Sequence, residues 1–299
     1  MHARLLVVPL LFFSASSPGM SLQAQCQAHF PASALSTLNQ QTFSADEQQQ
    51  TARDLLPCLA MADPVIRDNT AFHLLSTWMR AGALQPDTLT AITKELLAHI
   101  ENNVNDDAGV YLPFAVLTLS EVVRVDRITP YLDKPTLARA GDATARYLSS
   151  LTDFRGYDEA SGWRHAGAHS ADVFLQLALN ERTDASMLTT ISSALSVVIN
   201  PSEVHFYRYG EPQRYARAIA YMMLRDTLPV SHWETWLSNT ASPAPFESWD
   251  AVFFSQRGLA ARHNIRAFLL ELHHLIADSE NARLKSINIT LSSLLAALS

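Results

Sequence analysis

The sequence predicts an all-α fold: stacked antiparallel helical hairpins, about a dozen helices in a HEAT-like array or a closed α/α ring. Three observations lead there. Apolar residues recur at the i, i+3, i+4, i+7 spacing of one helix face through most of the chain. Nine glycines serve 299 residues, too few for a fold rich in tight β-turns. Hydrophobic residues make up 48% and charged residues 17%, which supplies a core and is unlike a disordered chain.

The chain opens with His2 and Arg4, an apolar run from Leu5 to Phe13, and then Ser14, Ala15, Ser16, Ser17, Pro18 and Gly19. This is the order of a secretory signal peptide, here residues 1–24 with cleavage after Ala24. So short a run cannot cross a hydrocarbon core of about 30 Å, and no later stretch is long and apolar enough to be a transmembrane segment. The expected protein is therefore exported, periplasmic or secreted. Residues 25–299 read as a single all-helical domain. In an oxidising compartment the two cysteines, Cys26 and Cys58, are candidates for a disulfide contributing about 3–4 kcal/mol. The alternative is a buried Cys58 with Cys26 free.

Helical stripes follow in order. Leu74, Leu75, Trp78 and Met79 come after the Asp63-Pro64 start signal. Leu89, Ile92, Leu96, Leu97 and Ile100 follow Pro86, and then come Val116, Leu119, Val122 and Val123. Leu137, Ala140, Thr144, Tyr147, Leu148 and Leu151 complete the first half. Later helices are expected near 163–180, 184–199, 212–227, 230–239, 247–260, 262–278 and 281–298, separated by signals such as Asn200-Pro201, Gly210 and Ser242-Pro243-Ala244-Pro245. No clean internal repeat is present, so the array reading rests on helix number and spacing.

The formal net charge is −7, with no basic run. Such a chain repels phosphate backbones, and no nucleic-acid partner is expected.

Residues 152–176 stand apart. Three of the nine glycines, Gly156, Gly162 and Gly167, fall here. The first two suit a loop; Gly167, inside the expected helix, points to something approaching its backbone. His165, His169, Asp172 and Gln176 lie at i, i+4, i+7 and i+11, within about 60° of arc on one helix. Three readings are open. His165, His169 and Asp172 could ligate a divalent metal, with Asp153 or Glu211 as a fourth group. One histidine could act as a general base oriented by Asp172. Or the imidazoles are structural, satisfying loop carbonyls and packing on neighbouring helices. A second cluster spans Tyr207 to Arg214, in which Pro212 suits a first helical turn. Glu211 and Arg214 there either cap and salt-bridge that helix or face the histidine stripe across a groove. Trp233, Trp236 and Trp249 read as core rather than as a sugar platform. Nucleotide-binding and serine-hydrolase motifs are absent.

Asp153-x-Arg155-Gly156-Tyr157 followed by Gly162-Trp163-x-His165-x-x-Ala168-His169-x-Ala171-Asp172 resembles the signature of the bacterial helical family catalogued as domain of unknown function 2785. Ile66-Arg67-Asp68, Gly109-Val110-Tyr111, Gly210-Glu211-x-x-Arg214 and Asn264 before Phe268-Leu269 fall in the same order, so the resemblance covers about 50–275. Leu112-Pro113 departs from a family Arg-Ser pair. The resemblance implies an all-helical, repeat-like fold and one site made by Asp153, Arg155, Trp163, His165, His169, Asp172, Glu211 and Arg214. It implies no reaction. The functional expectation is a polar groove binding a small molecule or a protein partner. The alternative is a periplasmic enzyme, metal-dependent or carbohydrate-active, drawing on His165, His169, Asp172, Asp153 and Glu211.

Overall fold

The computed structural model describes residues 20–35, 37–106 and 108–298; most of the expected signal peptide lies outside them. The fold is all-α apart from one short hairpin. The helices are α1 Leu22–His29, α2 Ala32–Leu35, α3 Ala45–Asp54, α4 Pro64–Ile66, α5 His73–Arg80, α6 Pro86–Glu101, α7 Tyr111–Ile128 and α8 Lys134–Ser149. After strands β1 Tyr157–Asp158 and β2 Gly162–Trp163 come α9 Ala166–Ala178, α10 Ala185–Ile199, α11 Glu211–Met223, α12 Val230–Thr240, α13 Gln256–Ile276 and α14 Ala282–Ala297. A π-helical stretch, Arg67–Phe72, joins α4 to α5.

The starts are capped as elementary helix physics requires. Asp63, Asp133 and Asp184 each accept a backbone N–H of the first turn of the helix that follows them, and prolines occupy first-turn positions in α4, α6, α8 and α11.

Alternate helices stack in two rows. α5, α7, α9, α11 and α13 pack in sequence to form one row, and α6, α8, α10, α12 and α14 form the other. This is the expected array of hairpins. Among the described residues α5 and α13 share no packing face, so the array is open rather than a ring. One hydrophobic core runs from Leu22 to Leu298, including the fully buried Trp233 and, at its margin, Trp249. Cys26 of α1 and Cys58, both buried, are joined by a disulfide that fastens α1 to the turn Leu56–Ala60. Ala24 lies within α1, so a cut there would remove the buried Leu22 from this contact.

The sequence reading is corrected in two places. The helices expected over 247–260 and 262–278 are one, α13, preceded only by a 3-10 turn at Ala251–Phe254. Ser255 caps α13 by accepting the Gly258 N–H at 3.0 Å, and Gly258 is required because a Cβ would collide with the Val252 carbonyl. The helix expected from 163 begins at Ala166, because residues 157–163 form a two-stranded antiparallel hairpin pairing Tyr157 with Trp163.

Candidate functional site

The hairpin is held by charge placed on backbone. The Asp158 carboxylate accepts from the backbone of Ala160 and Ser161 and from the Ser161 hydroxyl, closing the turn. Those bonds, with Arg164, hold its carboxyl well below the usual range. Arg164 donates to the carbonyls of Ala108 and Gly109 on the loop before α7. Arg67, fully buried over the Phe114 ring, donates to the Ser161 carbonyl at 2.7 Å and to Asp68. Two arginines thus clamp the hairpin between separate parts of the array.

Beyond β2 the pairing continues, with Arg164 N–H donating to the Gly156 carbonyl and His165 N–H to Arg155. His165 then turns left-handed, at φ 52° and ψ 33°, and becomes the N-cap of α9. For a non-glycine residue this costs about 1–2 kcal/mol. The turn sets the imidazole edge-on to His169, with centroids 6.0 Å apart, and against α11, where its Nε2 stands 3.5 Å from Glu211 Oε1. Neither atom makes a hydrogen bond, and both are buried. The other Glu211 oxygen accepts the Tyr209 N–H at 2.9 Å. Burial works to raise the Glu211 carboxyl, but His165 and the nearby backbone N–H groups outweigh it and hold it below the usual range. Gly156 makes this approach possible: a Cβ there would lie 2.7 Å from Glu211 Oε1 and strike the Tyr209 ring.

Three half-exposed aromatic rings cover the pair. Trp163 stacks on His165 with centroids 4.4 Å apart, Tyr157 lies 5.0 Å from Trp163, and Tyr209 lies 5.9 Å from Trp163 and 6.4 Å from His165. The His165 Nδ1 makes no hydrogen bond to any described residue.

A family model, DUF2785, described as a protein of unknown function, matches residues 96–274. The chain belongs to this family. No curated protein and no solved structure matches it. The DUF2785 span contains α7 to α12, the hairpin and the whole His165–Glu211 neighbourhood, and it leaves out Arg67 and both cysteines.

Within this span the expected single groove is divided. His169 is buried against Phe114, its Nδ1–H donating to the Pro113 carbonyl at 3.0 Å. Burial, with His165 nearby, pushes its pKa down to about 3, so it is neutral. Asp172 is bound by Arg214 at 2.6 and 2.7 Å, and Gln176 accepts from Arg127. Burial raises the Asp172 carboxyl, with Arg214 opposing. The lower stripe therefore locks α9 to its neighbours α7 and α11. Asp153 and Arg155 pair with one another at 2.6 and 2.8 Å, which holds the Asp153 carboxyl below its usual range against burial. On the far side of the hairpin, Asp153 and Arg164 line a cavity of about 430 Å³ with Asp106, Leu112, Tyr147 and Thr152.

The expected metal set of His165, His169 and Asp172 does not converge: the two imidazoles stay in edge contact, with centroids 6.0 Å apart, but Asp172 is turned to Arg214 and His165 Nε2 to Glu211. Among the described residues no three His, Cys, Asp or Glu side chains are placed to hold one ion. The carboxylate facing a histidine is likewise Glu211, not Asp172. Gly167 admits the Tyr215 ring, whose hydroxyl occupies the space a Cβ would need. Sequence reasoning missed the aromatic cover, because Tyr209 meets Tyr157 and Trp163 only through the fold. It also missed Arg67 as a clamp, which in the sequence stands out only as part of the Ile66-Arg67-Asp68 match.

Proposed function

We propose an exported helical protein that binds a small molecule or a partner at the hairpin face, where Tyr157, Trp163 and Tyr209 stand over the His165–Glu211 pair. One observation carries this reading. Two buried polar atoms face one another at 3.5 Å without a hydrogen bond, next to a strained histidine and beneath exposed aromatic rings. Buried polar groups are ordinarily satisfied, and departures mark places where function competes with stability. Export draws support from the leader-like Leu5–Phe13 run and from the disulfide, which persists best in an oxidising compartment.

An enzyme is the second reading, favoured by Glu211 as orienter of a His165 whose Nδ1 is uncommitted. In this reading His165 is the general base. A glycosidase would need one carboxyl held protonated, whereas Asp153 and Glu211 are both held below the usual range.

The test is thermal-shift screening of a metabolite library against the wild type and a Trp163→Ala variant. Ligands that bind only the native state raise the melting temperature. The expected result is a set of stabilisers whose effect is lost in the variant. Stabilisers that act equally on both proteins would place binding elsewhere and end this reading.

A further inference from the structure

The geometry points to a neutral oligosaccharide as the ligand of this face, an inference that rests on the hairpin face being the binding site. The three rings pack on one another, with centroids 5.0, 5.9 and 6.5 Å apart and planes inclined by 56–90°. That spacing leaves no void between them, so they cannot enclose a compact organic cation as an aromatic cage does. They present an outward surface instead, with each ring 41–42% exposed. A pyranose ring has a flat face of C–H groups that such a surface accepts, and a rim of hydroxyls that must both donate and accept hydrogen bonds.

The margin of the face supplies both. Among the described residues the hydroxyls of Tyr157 and Tyr209 bond to nothing in the protein. Local charge is compensated in pairs, Asp153 by Arg155 and Asp158 by Arg164, while Glu211 is buried beside His165. Two exposed charges of opposite sign are left without an ion pair among the described residues, Arg208 next to Tyr209 and Glu159 in the hairpin turn. With one exposed charge of each sign, the face has no net charge to select a cation or an anion.

The experiment follows the part of the tryptophan fluorescence change that is lost in Trp163→Ala, since Trp78, Trp233 and Trp236 are buried and Trp249 is half-buried at the margin of the core. The full chain is titrated with chitotetraose, cellotetraose, maltotetraose and tetramethylammonium, and Trp163→Ala and Tyr209→Phe are compared by calorimetry after circular dichroism confirms their folds. At least one tetrasaccharide is expected to saturate. Its affinity should fall about tenfold in Trp163→Ala and measurably in Tyr209→Phe, which keeps the ring and removes a rim hydroxyl. Saturation by tetramethylammonium and by no sugar would overturn the sugar assignment while leaving the face as a binding site. A sugar binding equally to wild type and Trp163→Ala would overturn the inference by locating sugar elsewhere. No saturation by any probe, together with a metabolite screen indifferent to Trp163, would overturn both readings.

Discussion

Two buried carboxylates in this molecule are treated in opposite ways. Asp126, on α7, has no exposed side-chain surface and every reason to be costly. One oxygen accepts the backbone N–H groups of Tyr131 and Leu132 at 3.0 and 2.8 Å, and Arg182 and Asn180 complete the set. Arg182 also donates to the Leu132 carbonyl at 2.6 Å. The network ties the loop after α7 to the end of α9, and nothing in it is left over. Glu211, almost as deeply buried, has one oxygen satisfied and the other facing a histidine without a bond. Where a buried charge serves architecture, the fold completes its partners; the shortfall at Glu211 sits where an aromatic surface opens to solvent.

The comparison breaks most directly at Asp126. Asp126→Ala leaves Arg182 and two backbone N–H groups without their acceptor, and should cost about 3–5 kcal/mol in chemical denaturation. The conservative Glu211→Gln should cost no more than about 1 kcal/mol, because an amide oxygen still accepts from Tyr209. Equal losses for the two would erase the distinction between a structural and a functional buried acid.

Much of this contrast lay beyond the sequence. The stripes from Leu89 to Ile100 and from Val116 to Val123 lie within α6 and α7, and Pro212 sits in the first turn of α11, because helix periodicity and capping are local. His165 and Glu211 could be singled out as unusual residues in unusual places. Their meeting could not be read, since it depends on one left-handed residue at the start of α9 and on the packing of α9 against α11. The hairpin was invisible for a similar reason. Its strands are two residues each, too short to carry a period, and they are fixed by Arg67, 94 residues before Ser161 in sequence.

Acid should discriminate next. His169 is held neutral, with a folded pKa of about 3 against an ordinary value of 6.5. Between those limits the unfolded chain binds a proton that the folded chain does not, so stability is full above pH 6.5 and falls as pH drops toward 3. Arg67, Arg214 and His165 lie around the ring and oppose its protonation. The slope from one such proton approaches about 1.4 kcal/mol per pH unit. A His169→Gln variant, with a donor for Pro113 and nothing to protonate, should lose stability less steeply between pH 6 and 4. An unchanged slope would show that the acid limb belongs to other groups.

Gly167 tests the packing beside the pair. Gly167→Ala forces a methyl into the Tyr215 hydroxyl, on a buried and rigid ring, and should cost about 1–3 kcal/mol. The hydroxyl has no hydrogen-bond partner, so Tyr215→Phe alone should be nearly neutral. Combined with Gly167→Ala it should recover part of the loss. A double variant no better than Gly167→Ala would mean that the ring rather than the hydroxyl is the obstacle.

The smallest effect separates the strain at His165 from its side chain. Ala and Gly both remove the imidazole, but Ala keeps the unfavourable left-handed backbone, whereas Gly adopts it freely. Gly also has more conformational freedom to lose on folding, which offsets part of its advantage. His165→Gly should therefore be more stable than His165→Ala by about 1 kcal/mol. Both should lose whatever binding the face supports, because the floor beneath Trp163 is gone in either case. A glycine variant more stable than alanine yet equally unable to bind would show that the fold holds an imidazole at a strained position for its contacts and not for the turn it makes. Equal stability of the two would remove backbone strain as a pointer to this site and leave the unbonded Glu211 oxygen to carry the argument.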